Sequence, residues 1–172
     1  MIKPFTFQKN GVAASKHDLA IFKAEFELRL PTCFHEFCLK YNGGFPSNDN
    51  CYYQVPKIYK GFHAEYCVKI KKPVGTIIEG LFRLTTEIGA CDPRAEIRSL
   101  REISSIRTIP IGFDLFGNSA LLREDDPDGA VYWRDHELWE APGTPYLMPI
   151  APNLETFYNF LTHDSSITET ES

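Results

Sequence analysis

The chain has 172 residues, 43% of them hydrophobic and 13% aromatic, which suits one globular domain with a real core and is short for two. The formal net charge is −5, so nucleic acid is disfavoured as a partner, since phosphate would meet an acidic surface. No apolar run approaches the roughly 20 residues that a membrane helix needs.

In chain order, Ser15 followed three residues later by Asp18 is a capping signal, and Leu19, Phe22, Phe26 and Leu30 follow at helical spacing. This predicts an amphipathic helix over 16–28. Pro31 suits the first turn of a second helix, because its missing N–H has no partner there anyway. Phe34, Phe37, Cys38 and Tyr41 form its apolar stripe, and Asn42-Gly43-Gly44 supplies the left-handed residues that end it.

From residue 50 the pattern becomes β-rich. "CYYQVP" and "HAEYCVKI" are strand candidates, and "GTIIEGLFRLTT" is the longest, with Gly80 marking a bulge. Asp92-Pro93 reads as an N-cap opening a short helix with Ile97 and Leu100 inward. "RTIPIGFD", "NSALLRE" and "GAVYWRD" then read as three strands joined by the turns "DLFGN" and "DDPDG". Asn153 caps a last helix carrying Leu154, Phe157, Tyr158 and Leu161 on one face. The expected architecture is α+β: an antiparallel or mixed sheet flanked by an N-terminal helix pair and a C-terminal helix, in a single domain over 1–163. The polar stretch 164–172 is expected to be a flexible tail.

Compartment follows from the chemistry of the ends and the thiols. "MIKPFTFQKN" lacks the continuous apolar core of a signal peptide. Cys33, Cys38, Cys51, Cys67 and Cys91 are odd in number and contain no CxxC pair, which points to free thiols in a reducing, cytoplasmic setting.

Charge is uneven along the chain. Residues 1–73 hold 11 Lys and Arg against 6 Asp and Glu, and residues 74–172 hold 7 against 17. Glu124, Asp125, Asp126, Asp128, Asp135, Glu137 and Glu140 crowd one hairpin, with Arg134 among them. Such a run is either a solvated loop or a surface that draws in a basic partner. Trp133, Trp139 and Tyr132 beside it are residue types that anchor interfaces, although alternate strand positions bury some of them, so one Trp is expected inside and one partly outside.

Enzyme signatures are scarce. There is no phosphate-gripping Gly-rich loop, no G-x-S-x-G elbow and no HExxH. Asp135-His136-Glu137 could serve a metal, pin the hairpin or touch a partner. On a regular strand Asp135 and Glu137 share a face that His136 does not, so the three cannot chelate one ion without a bulge. Asp114 and Asn118 flank "DLFGN" and suit Asx-turn bonding to nearby backbone N–H groups.

Several of these blocks together resemble the SUKH superfamily, the Smi/Knr-type domain. Its opening signature falls on Leu30, Pro31, Phe34, Phe37, Cys38, Asn42, Gly43 and Gly44. A second block, Pro-Ile-Gly-x-Asp-x-x-Gly-Asn after an apolar residue, falls on Ile109 to Asn118; Val131-Tyr132, Asp135-His136-Glu137 and Ile150 to Phe157 follow in order. The chain departs at Cys38, where the family usually has an apolar residue, and at Trp133, one position earlier than the Trp that usually precedes Asp-His.

The resemblance implies a non-catalytic immunity-type protein that binds and neutralises a cognate bacterial toxin; the acidic surface adds the expectation that this toxin is basic, as a nuclease would be. Its alternative, from the eukaryotic branch, is a regulatory or scaffold interaction domain; a metal-dependent enzyme using Asp114, Asp135 and Glu137 ranks below both. No cofactor, metal or membrane partner is expected. The residues expected to meet the partner are Asp114, Glu124, Asp125, Asp126, Asp128, Trp133, Asp135, Glu137, Trp139 and Glu140.

Overall fold

The computed structural model describes residues 13–44, 52–54, 75–78, 80–84, 92–114, 116–141, 144–159 and 161–162. "HAEYCVKI" and the expected tail 164–172 lie outside these residues.

Helix α1 runs Lys16–Phe26, started by a reciprocal capping box: the Asp18 N–H donates to Ser15 Oγ at 3.1 Å, and the Ser15 N–H donates to Asp18 Oδ2 at 2.7 Å. The helix stops two residues earlier than the spacing predicts, because Glu27 takes a left-handed conformation at φ 50°. Leu28 then turns inward and is buried. Helix α2 runs Thr32–Lys40 with Pro31 as its N-cap residue, one position outside the predicted place.

After α2, Asn42, Gly43 and Gly44 all have positive φ. The chain here crosses the backbone of 81–82 so closely that a Cβ on Gly43 would meet the Phe82 carbonyl oxygen at 2.1 Å. Asn42 completes the crossing. Its Nδ2 donates to the Leu84 carbonyl at 2.7 Å and its Oδ1 accepts from the Leu84 N–H at 2.8 Å. One side chain thus replaces a strand neighbour for a buried backbone.

The strands form two sheets. Strands β1 (Tyr52–Gln54), β2 (Gly75–Ile77) and β8 (Leu161–Thr162) make a three-stranded sheet in the order β2-β1-β8. Strands β3 (Gly80–Leu81), β4 (Thr108–Phe113), β5 (Ser119–Arg123), β6 (Val131–Ala141) and β7 (Thr144–Ala151) make a five-stranded antiparallel sheet in chain order. The expected α+β architecture is the observed one. The single long strand expected over "GTIIEGLFRLTT" is instead divided between the two sheets, β2 in one and β3 in the other. Strand β7 has no counterpart in the sequence reading: Pro145 and Pro149 argue against a strand, and they are tolerated here because β7 is the edge of its sheet.

Helix α3 (Pro93–Ile103) is capped by Asp92, whose side chain accepts from the Arg94 N–H at 3.1 Å, and its Ile97 and Leu100 are buried as expected. Helix α4 (Leu154–Asn159) begins under an Asn153 cap, with the Thr156 N–H donating to Asn153 Oδ1 at 2.8 Å. It ends before Leu161, which is buried from β8 and not from the helix.

Cross-strand register sets which residues reach the core. Ile109, Leu122 and Val131 align across β4–β6, and Ala120, Trp133 and Met148 align across β5–β7. These join Phe22 and Phe26 of α1, Phe34 and Phe37 of α2 and Phe157 of α4 in one cluster. Ser119 and Arg134, opposite each other on the alternate face, are reached by Glu96 of α3. Among the described residues, no helix is long and apolar enough to cross a membrane.

Cys33 and Cys38 are free thiols, and burial alone raises the Cys38 thiol far above its ordinary pKa.

The Asn42 crossing yields a stability prediction. Asn42→Ala would remove the two bonds that Asn42 gives the Leu84 N–H and C=O and would put at φ 50° a residue less tolerant of it than asparagine. A loss of about 2–4 kcal/mol is expected in urea denaturation. A loss below about 0.5 kcal/mol, the size of an ordinary surface substitution, would mean that the crossing is held by something else.

Candidate functional site

The expected acidic hairpin does not form one surface. Strand β5 is five residues long and separates two turns, so the two acidic groups lie at opposite ends of the sheet, roughly 17 Å apart at about 3.4 Å per residue. The turn 124–130 is at one end. The turn 114–118 is at the other, beside 135–137, where β6 runs on past its pairing of Arg134 with Ser119.

At the first end, the carboxylates meet two arginines and one backbone N–H from outside the turn. Arg107 Nε pairs with Glu124 Oε2 at 2.6 Å, and the Arg29 backbone N–H donates to Glu124 Oε1. The Glu124 side chain is only 9% exposed. Arg107 Nη2 also donates to the carbonyls of Phe26 and Glu27, where α1 ends, and Arg101 donates to that of Phe26. Guanidinium groups thereby satisfy carbonyls that the helix leaves open. Arg123 forks onto Asp125 through Nε at 2.9 Å and Nη2 at 2.6 Å. That contact holds the Asp125 carboxyl below its ordinary pKa.

A hollow of about 490 Å³ in this region is lined by Arg29, Arg107 and Arg123 together with Glu124 and Asp125. Asp126 accepts from the Tyr132 hydroxyl at 3.2 Å and from the Asp128 N–H at 3.0 Å. Asp128 is exposed. The densest acidic run in the sequence is therefore largely matched by arginine or used in its own turn.

The second end is built on Asp114. This carboxylate is buried and accepts three hydrogen bonds: Oδ1 from the Phe116 N–H at 2.8 Å and the Asn118 N–H at 2.9 Å, and Oδ2 from Asn118 Nδ2 at 2.8 Å. Gly117 provides the positive φ, 87°, that the turn needs. Asn118 Oδ1 then accepts from the His136 N–H at 3.0 Å and lies 3.0 Å from His136 Nδ1. One amide side chain so ties the β4–β5 turn to β6. For both His136 nitrogens to face that oxygen as donors, the ring must carry its proton on Nδ1.

Regular pairing of β6 with β7 breaks between Arg134 and Trp139, and Asp135 Oδ1 accepts from the Glu137 N–H at 3.0 Å. Asp135 is half-buried, and the Glu137 side chain is 80% exposed. No Lys or Arg stands within 114–118 or 135–137.

Beside this end lies a second hollow of about 320 Å³, lined by Asp92, Glu96 and Asp114 and by Phe82 and Phe113, whose ring centroids are 5.0 Å apart. Arg134 faces inward: its Nη1 is 3.7 Å from Glu96 Oε1, and its Nε is buried with no hydrogen-bond partner among the described residues. It does not neutralise the exposed carboxylates. Among the described residues, no group of three or more His, Cys, Asp or Glu is placed to hold a metal ion.

Trp133 needs correction as a surface anchor. It is 4% exposed and belongs to the core cluster, so truncating it would cost about 3–5 kcal/mol of stability before any effect on binding. The side chains of Trp139 and Glu140 lie outside the described residues.

The residue that the sequence reading missed is Phe116, 75% exposed at the tip of the second turn. Its signal was present: an aromatic between Asp and Gly in a tight turn has no strand to bury it.

The two ends separate in stability. Glu124→Gln is expected to cost about 1–2 kcal/mol in urea denaturation, because it weakens a shielded charge-assisted pair. Asp128→Asn should change stability by less than about 0.5 kcal/mol. Equal effects would mean that Glu124 is as free as Asp128.

No curated protein and no solved structure matches the chain. A family model described as the SMI1 / KNR4 family (SUKH-1) matches residues 13–159. That span runs from the residues just before α1 to the last residue of α4, and by it the chain belongs to the SMI1 / KNR4 family (SUKH-1).

Proposed function

We infer that this protein is a non-catalytic immunity-type partner that occludes a basic protein toxin, acting in the cytoplasm. The observation that carries the reading is the sheet end formed by 114–118 and 135–137. It joins the buried Asp114, through Asn118, to the strand segment that carries Asp135 and Glu137, with no Lys or Arg in either segment. An adjoining hollow is lined by two phenylalanine rings and by carboxylates that are in part matched from within, Asp92 by Arg94 at 3.1 Å and Glu96 by Arg134 at 3.7 Å. Membership in a family that includes immunity proteins supports the same direction.

The polar groups of this end support binding more than catalysis. Asp114 spends both oxygens on its own turn, Asp135 accepts from the backbone, and His136 faces Asn118. Asp114, with both oxygens occupied in this way, orients a loop and has little freedom to shuttle protons. The opposite end, threaded by Arg29, Arg107 and Arg123, offers a basic partner far less attraction.

Affinity capture from the native host followed by mass spectrometry would supply the partner. Its toxicity when expressed alone, and the relief of that toxicity by this chain, test the function. A captured partner that is harmless to cells, or one whose toxicity this chain does not relieve, would contradict the immunity reading. In stopped-flow mixing with that partner, Asp135→Asn with Glu137→Gln is expected to slow association by about 3–30-fold at low salt and flatten its ionic-strength dependence. The triple change Asp125→Asn, Asp126→Asn, Asp128→Asn should slow it less. The reverse ranking would move the docking surface to the other end.

A further inference from the structure

Among the described residues the large exposed hydrophobic side chains are Ile21 at 45%, Leu39 at 37%, Tyr41 at 42% and Phe116 at 75%. The first three lie on or beside helices, where partial exposure of an apolar residue is ordinary. Phe116 differs in kind: it stands on a turn whose backbone is held from both sides. Its own N–H is bonded to Asp114 Oδ1 at 2.8 Å, the Asp114 N–H donates to the Asn118 carbonyl at 3.1 Å, and Asn118 is fastened to His136 of the neighbouring strand. Gly117 sits against the His136 ring, with a would-be Cβ only 3.8 Å from Nδ1.

These bonds are the ones an Asx turn supplies. Here they fix a backbone whose aromatic side chain is left in water. An exposed aromatic on a backbone ordered in advance loses little further freedom when a partner covers it, which is how a few side chains come to dominate an interface.

We propose that Phe116 is a preorganised hydrophobic anchor that inserts into an apolar pocket on the toxin, and that this pocket is rimmed by Lys or Arg. The rim follows from charge complementarity: Asp135 and Glu137 flank His136, which touches the same turn, and no cation stands in either segment. Carboxylates on the strand beside the turn guide encounter, and the ring, once seated, governs how long the complex lasts. The proposal rests on the toxin-binding reading above and names the residue that would make it tight.

The test uses the intact protein and the partner identified and purified through the capture experiment. Phe116→Ala is expected to raise the dissociation rate 10–100-fold with little change in association, and Phe116→Trp to keep the complex within about threefold of wild type. Asp135→Asn with Glu137→Gln should do the opposite, slowing association and leaving dissociation nearly unchanged. The thermal midpoint of Phe116→Ala should stay within about 1 °C of wild type, since little is packed against the ring; a clear fall would assign the ring to folding and overturn the anchor.

Wild-type dissociation in Phe116→Ala overturns the anchor and leaves the immunity reading standing. A captured partner that proves harmless to cells overturns the immunity reading, and the Phe116→Ala dissociation rate still judges the anchor. If the wild-type chain retains no partner and sedimentation shows self-association that Phe116→Ala abolishes, the ring joins copies of this chain and the proposal fails. Absence of both partner and self-association contradicts anchor and function together.

Discussion

The Asn118 side chain is the junction on which the functional end of the sheet depends. Its Nδ2 donates to Asp114 and its Oδ1 receives His136, so one amide joins the end of β4, the start of β5 and the irregular middle of β6. Each of these bonds would be worth only about 1 kcal/mol in isolation. Their combined effect is geometric. They hold a turn that would otherwise fray, they place Asp135 and Glu137 beside it, and they leave Phe116 facing water. Remove the amide, and the charged segment of β6 loses its tie to the turn.

The contrast between the two ends of β5 gives this junction its meaning. Both ends carry several carboxylates. At one, Arg107 of the α3–β4 connection and Arg123 of β5 pair with them, and the Arg29 backbone N–H reaches Glu124 across 95 positions of sequence. At the other, among the described residues, Asp114 is bonded to its own turn, Asp135 to its own strand, and Glu137 projects into solvent. Shielded pairs hold elements together and cost stability when broken. Exposed, unmatched carboxylates add little to stability and set the field that a diffusing partner meets. The same residue type thus does structural work at one end and is available for recognition at the other.

Local signals in the sequence were legible and long-range ones were not. The caps at Ser15, Asp92 and Asn153, the positive-φ run at 42–44 and the Asx turn at Asp114 each depend on residues within four positions, and each is present in the fold. Strand β7 was hidden because its prolines contradict strand propensity, and only its place at a sheet edge makes them harmless. The division of 75–81 between two sheets is a tertiary choice with no local mark. The acidic cluster was misread for a related reason: charges were counted along the chain, where Arg29 and Arg107 are remote, and β5 separates in space two turns that sequence places side by side. Trp133 was legible in part, since its register opposite Ala120 and Met148 buries it, but no pattern within β6 alone fixes which face is inward.

Backbone amide hydrogen exchange, recorded with and without the purified partner, tests most directly whether the Asn118-linked end is the face that is covered. Protection confined to 114–118 and 135–137, with 124–129 exchanging as in the free protein, is the expected result. Protection centred on 124–129 or on α1 and α2, with the Asp114 turn unchanged, would contradict it.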